Sequence, residues 1–171
     1  MIRVEAYRPE HLGRLAASGA QAHLRPLVED AAYAEGLAAC GPGYAALDEA
    51  DRVLCVAGLH VPWEGRAVAH ALLSGDCGRS LGAIIGHIRR YLDAAPYARI
   101  EAHVQTDREE CHRFACLLGF ARECTMRRFL GADDFDLYAR IKDDRAAPAA
   151  PSAQADMRPR PTPAPRGEGV A

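Results

Sequence analysis

The chain has 171 residues, 49% of them hydrophobic, and a formal net charge of −2 at pH 7. That length fits one domain able to bury a real core, and the near-neutral balance argues against a strongly basic nucleic-acid binder. No apolar run approaches the roughly 18–20 residues of a membrane span, and the opening Met1-Ile2-Arg3-Val4-Glu5 does not read as a signal peptide.

Residues 2–7 alternate and read as a strand, and residues 9–17 as a helix with Pro9 near its first turn. Residues 20–39 read as one or two helices interrupted near Pro26. Gly41-Pro42-Gly43 is a turn, residues 44–48 a strand, and residues 48–51 a hairpin loop. In residues 52–61, Val53, Cys55, Ala57, Leu59 and Val61 are expected on one strand face. Residues 62–66 make the next turn, which carries Trp63, expected to pack over the sheet edge in preference to helping form an acceptor pocket.

Residues 67–120 carry the densest signal. A mostly apolar run ends at Ser74, and Gly75-Asp76-Cys77-Gly78-Arg79-Ser80 breaks it. Leu81, Ile84, Ile85, Ile88 and Leu92 then form a stripe on one helix face. A glycine-bearing turn at a helix N-terminus presents backbone N–H groups and the positive end of the helix dipole, which suits a pyrophosphate. Residues 98–105 are a strand. Asp107 and Glu110 suggest a capping box for a helix whose apolar face is Cys111, Phe114, Leu117 and Leu118, ended by Gly119. Residues 121–130 and 136–141 read as a final hairpin.

The composition changes from about Asp143. Residues 146–171 hold six of the eleven prolines and no aromatic residue, too little apolar surface to offset ordering entropy. The expected organisation is therefore a folded domain over residues 1–142 and a Pro/Ala-rich disordered tail over 143–171. Six scattered cysteines without a CxxC pair read as reduced thiols, with no metal site expected. Lys142 is the only lysine, so the arginine content reads as coding bias beside abundant alanine.

This order of elements resembles the GNAT family, the GCN5-related N-acetyltransferases, over residues 1–142. Cys77-Gly78-Arg79-Ser80-Leu81-Gly82 occupies the frame of the family's Gln/Arg-x-x-Gly-x-Gly/Ala turn, and residues 104–120 resemble the run that ends in Leu118-Gly119-Phe120. Cys77 stands where Gln or Arg is usual, Ser80 replaces a core glycine, Arg108 stands at an Asn position, and Ala115 at the position of a Tyr general acid. A narrower likeness, in Ala71-Leu72-Leu73-Ser74, residues 88–93, Arg99-Ile100-Glu101-Ala102 and residues 117–120, is to GNAT-like proteins of tailed phages and prophages, related to an internal virion protein of short-tailed phages.

The resemblance implies an α/β fold. Its central mixed, mostly antiparallel sheet has one parallel pair at a cofactor cleft and helices on both faces. It implies acetyl-CoA as co-substrate, held by Leu73, Ser74, Cys77, Gly78, Arg79, Ser80, Leu81, Gly82 and Arg108. Glu101 and His103, on the strand face opposite Ile100, Ala102 and Val104, are the candidate bases; His70 is a third, and Tyr138 is a candidate acid if the last strand brings it close. The expected partner is a small-molecule or peptide amine acceptor, with no nucleic acid and no membrane; a virion or host protein follows from the phage likeness, and a homodimer is a separate expectation. The expected location is the cytoplasm of a bacterial host cell, or a virion. A non-catalytic GNAT-fold phage protein is the alternative reading.

The tail expectation has a direct check. Thermal melts of the full chain and of a truncation after Arg145 should coincide, whereas a drop of many degrees would show that the tail docks on the core.

Overall fold

The computed structural model describes residues 2–16 and 23–142. The expected tail, the end of the first helical segment and the start of the second lie outside them. Seven strands form one sheet: β1 (Arg3–Ala6), β2 (Gly43–Leu47), β3 (Val53–Trp63), β4 (Arg66–Leu73), β5 (Arg99–Gln105), β6 (Ala121–Leu130) and β7 (Asp133–Ile141). Their order is β1-β2-β3-β4-β5-β7-β6. Only β4 and β5 run parallel; the other neighbours are antiparallel.

The helices are α1 (Pro9–Gly13), α2 (Arg25–Val28), α3 (Ala31–Cys40), α4 (Leu81–Ala94) and α5 (Glu109–Leu117). Leu12, Val28 and Ala34 of α1–α3 pack with Ala45, Val56 and Leu72 on one face of the β2–β4 region. On the opposite face, Leu92 of α4 and Ala115 of α5 pack with Ala67, Ile100 and Tyr138. Ile84 of α4 extends that layer to Ala46 and Cys55. Each fully buried leucine, isoleucine or valine among these contributes about 1.5–3 kcal/mol relative to exposure. The mixed sheet, its single parallel pair and the helices on both faces agree with the fold read from the sequence.

Local differences have local causes. Leu47 pairs with Val53 and Ala46 with Cys55, so Leu54 is the extra residue of a bulge. The bulge moves Val53 to the α1–α3 face, away from Cys55, Ala57 and Leu59. Pro26 sits in the first turn of α2, where its missing N–H costs nothing. The helical segment breaks instead at Asp30, whose side chain accepts the Ala32 N–H at 2.8 Å and starts α3. β3 continues through Trp63, and the hairpin turn is Glu64-Gly65 with Gly65 at φ +78. Trp63 is 58% exposed, with the Arg66 guanidinium 4.4 Å from its ring, so it does not pack over the sheet edge. Arg108, not Asp107, occupies the N-cap of α5, and no side chain caps that helix. Leu117 is 54% exposed, and Ala115 takes its place in the packed face. The final hairpin is tighter than expected, because β7 begins at Asp133.

The β4–β5 ladder holds over only three pairs: Arg66↔Arg99, Ala67↔Ile100 and Val68↔Glu101. Glu101 lies at its end with its side chain 3% exposed, paired to both Arg66 and Arg99, and Arg99 also holds Glu123 at 3.0 Å. Two guanidiniums facing each other across a parallel pair would repel, so the buried carboxylate joins the strands where they meet. Both arginines hold the Glu101 carboxyl below its ordinary range against the opposing effect of burial.

Glu101→Gln should therefore destabilise the fold by roughly 2 kcal/mol at neutral pH. A depressed folded-state pKa contributes stability above the unfolded-state value and loses it as the pH falls through the folded one. The gap between wild type and variant in denaturant melts should accordingly close in acid; a gap that persists unchanged there would show that the charge is not its source.

Candidate functional site

Beyond Val68↔Glu101 the two parallel strands diverge, and a cavity of about 1010 Å³ occupies the split. Its walls come from both sides of the sheet. Leu81, Ile88, Leu92, Phe114 and Leu118 line it from α4, α5 and the turn after α5, and Leu24 and Tyr33 from the α2–α3 side. Leu73, Ser74, Cys77, Leu81, His103 and Arg108 line it, whereas Gly78, Arg79, Ser80 and Gly82 of the expected pyrophosphate turn lie outside its lining. A smaller cavity of about 300 Å³, between β1, β2 and α4, shares none of those candidate residues.

The turn at one end of the cavity has the form the sequence suggested, with its own internal bonding. Residues Gly75–Ser80 make a 3-10 turn interrupted at Gly78, whose φ of +28 and ψ of −114 suit glycine. Ser74 is buried. Its N–H donates to the Leu54 carbonyl at 2.8 Å, and its Oγ accepts the Asp76 N–H at 3.1 Å. The hydroxyl therefore shapes the turn. The Cys77 and Leu81 N–H groups are engaged by the Ser74 and Gly78 carbonyls, and the Cys77 side chain packs partly against Cys55 and Ile84. No side chain caps the N-terminus of α4. A β-carbon on Gly82 would meet no atom within 4 Å, so glycine leaves open space beside that helix end. Arg79 is exposed.

Arg108 brings a charged side chain to the cavity wall. Its Nε is buried without a hydrogen-bond partner among the described residues, although Asp107 lies 3.3 Å away as an ion-pair neighbour. A buried unsatisfied donor is costly, and this one belongs to a side chain on the cavity wall. The helix end without a side-chain cap, the space beside Gly82 and the arginine on the cavity wall fit a ligand that carries phosphates.

Of the proton-transfer candidates, His103 and His70 line the cavity and Glu101 does not. Glu101 is bound by its two arginines, which gives it a tie between strands. His103 is half-buried with its ring edge-on to Phe129 at 4.7 Å. Burial lowers its pKa, Glu101 opposes that, and Arg66 adds to it. His70 sits on β4 under Gly58, where a β-carbon would come within 2.9 Å of its Cε1. Burial, reinforced by His60, pulls His70 down to about 4. Continuing the Val68↔Glu101 register would set His70 opposite His103, so the two imidazoles stand on the two lips of the split.

Tyr138 faces the other way. It is buried against α5, its hydroxyl 3.0 Å from His112 Nδ1, and it does not line the cavity. The last strand packs Tyr138 into the same cluster as Ala115, with its hydroxyl turned to His112 and outside the cavity lining. The sequence reading also had no signal for the Arg66 and Arg99 pairing, since their partner is a β5 glutamate only in the folded sheet.

No protein-family model and no curated relative matches the chain. Solved structures do. A ribosomal-protein-S5-alanine acetyltransferase from Vibrio fischeri superposes with a TM-score of 0.64 at 15% identity, covering 85% of this chain and 96% of that one. A spermidine N-acetyltransferase chimera of Vibrio cholerae SpeG and hSSAT gives 0.65 at 14% identity, over 82% and 95%. A GNAT-family acetyltransferase from Bacillus anthracis gives 0.61 at 10% identity, over 82% and 94%. With the split parallel pair and the turn at the α4 N-terminus, these superpositions identify the chain's fold as that of the GNAT acetyltransferases.

Proposed function

We propose that the chain is an N-acetyltransferase that uses acetyl-CoA as acyl donor and an amine as acceptor. The observation that carries this reading is the cavity in the β4–β5 split, which runs from an uncapped helix N-terminus past two imidazoles. Fold neighbours named as N-acetyltransferases support it. Acetyl-CoA, when bound, supplies an activated acyl thioester. Gly78, Arg79, Ser80 and Gly82 hold its pyrophosphate at the helix end, Leu73 and Leu81 border the arm that enters the split, and Arg108 Nε donates to a carbonyl of that arm.

Acyl transfer also needs a neutral amine nitrogen. His103 accepts the ammonium proton and passes it to water, because burial keeps the imidazole neutral at pH 7. His70 is the second imidazole within the same split. Ala115 leaves no side-chain acid at its position, so the departing thiolate takes its proton from the attacking nitrogen, directly or through water. The same Ala115, with Tyr138 bonded to His112, favours the second reading: a GNAT-fold phage protein without catalysis, in a virion or host-interaction role.

Two variants separate binding from chemistry. Gly82→Val leaves the core untouched, since its β-carbon meets nothing, yet it should weaken acetyl-CoA binding in calorimetric titration by roughly tenfold. Equal affinity for both proteins would remove the turn from the site. His103→Ala should lower kcat roughly a hundredfold with little change in acetyl-CoA affinity.

The wild-type rate should be level at neutral pH and fall as acidity protonates His103, below the ordinary histidine range because burial depresses its pKa. A rate that rises toward acid would exclude this imidazole as the base. Acetyl-CoA binding without turnover of any amine would favour the non-catalytic reading.

A further inference from the structure

We infer that the acceptor is a primary monoamine on an aromatic or branched apolar body, not a polyamine or a lysine-rich peptide; this rests on the acetyltransferase reading above. The register sorts the cavity wall into two sides. Ile100, Ala102 and Val104 face α4 and α5, and Glu101, His103 and Gln105 face the α2–α3 side. On that second side Leu24, Tyr33, Leu130 and Phe135 are joined by the polar side chains of His23 and Gln105. The Phe135 and Phe129 rings meet at a tilt with centroids 5.4 Å apart, and Phe129 meets His103. Apolar surface of this kind favours an apolar body by about 25 cal/mol per Å² covered.

Charge on the same side is sparse. Among the described residues the cavity is bordered by two carboxylates, Asp133 and Glu110. Glu110 belongs to α5 on the opposite side, and Asp133 is exposed at the rim, at the turn between β6 and β7. Glu101, the nearest buried carboxylate, is occupied by Arg66 and Arg99. His70 and His103 stay neutral at pH 7 and offer an amine acceptors without fixed charge. One rim carboxylate suits one ammonium, whereas a chain of ammonium groups brought into an apolar wall would leave most of its charges without a partner.

The transfer balances for such an amine. The ammonium gives one proton to His103 and on to water. The neutral nitrogen then forms the amide C–N bond as the thioester C–S bond breaks. The second nitrogen proton goes to the thiolate, so the products are an N-acetylamine, a free thiol and one released proton.

The test uses the full chain, with thiol release followed for phenethylamine, spermidine and a lysine-containing peptide, beside calorimetry with acetyl-CoA alone. The expected kcat/KM for phenethylamine exceeds that for spermidine tenfold or more. Leu130 is 67% exposed on the rim, so Leu130→Glu leaves the core intact; the added carboxylate should narrow that ratio several-fold. Equal or better use of spermidine or the peptide overturns the inference while leaving the acetyltransferase reading intact. Acetyl-CoA binding with no turnover of phenethylamine overturns it as well. Failure to bind acetyl-CoA overturns the acetyltransferase reading itself, and the calorimetric arm tells the two failures apart.

Discussion

The molecule depends on the place where β4 and β5 stop pairing. Three rungs of parallel ladder join the strands, and Glu101 draws Arg66 and Arg99 together at that end. Past the last rung the right-handed twist of sheets and the helices packed on opposite faces let the strands separate. A gap inside a sheet is costly unless something fills it, because strand edges carry backbone polar groups. The apolar side chains of α4 and α5 wall the gap on one side, and α2 and α3 reach it from the other. The ion-paired junction and the open split are thus one feature: a fixed hinge line with a slot above it.

The slot gives different chemistry to its two sides. Toward α4 it ends at a helix N-terminus without a side-chain cap, a place suited to phosphate. Toward α2 and α3 it presents two imidazoles kept neutral by burial and a wall of aromatic and aliphatic groups. A donor held from one side and an amine admitted from the other meet at the level of His70 and His103. Proximity of that kind accounts for much of the acceleration in acyl transfer.

Much of this was legible in the chain itself. The stripe from Leu81 to Leu92 and the glycine turn before it reflect local geometry, and the parallel pair follows from a strand–helix–strand unit. The placement of Glu101 and His103 on the face opposite Ile100 needed only the two-residue period of a strand. Four features were not legible, for physical reasons. The Leu54 bulge leaves an alternating sequence unchanged while shifting Val53 to the other face. Pro26 fits both a break and a first helical turn. Leu117 belongs to the α5 stripe by spacing, yet the sheet contacts the neighbouring Ala115 instead. The Glu101 ion pairs join residues 35 positions apart in one case, and only the folded sheet brings them together.

Backbone hydrogen exchange with and without acetyl-CoA tests the central claim most directly, because it reports on each strand and turn beside the slot separately. Protection should appear on the β4 residues beyond Val68, on residues 78–82 and around Arg108. It should be absent from β1, β2 and α3. Unchanged exchange along β4 and the turn, or protection confined to the smaller cavity beside Val4 and Tyr44, would contradict the assignment of the β4–β5 split as the acyl-donor site.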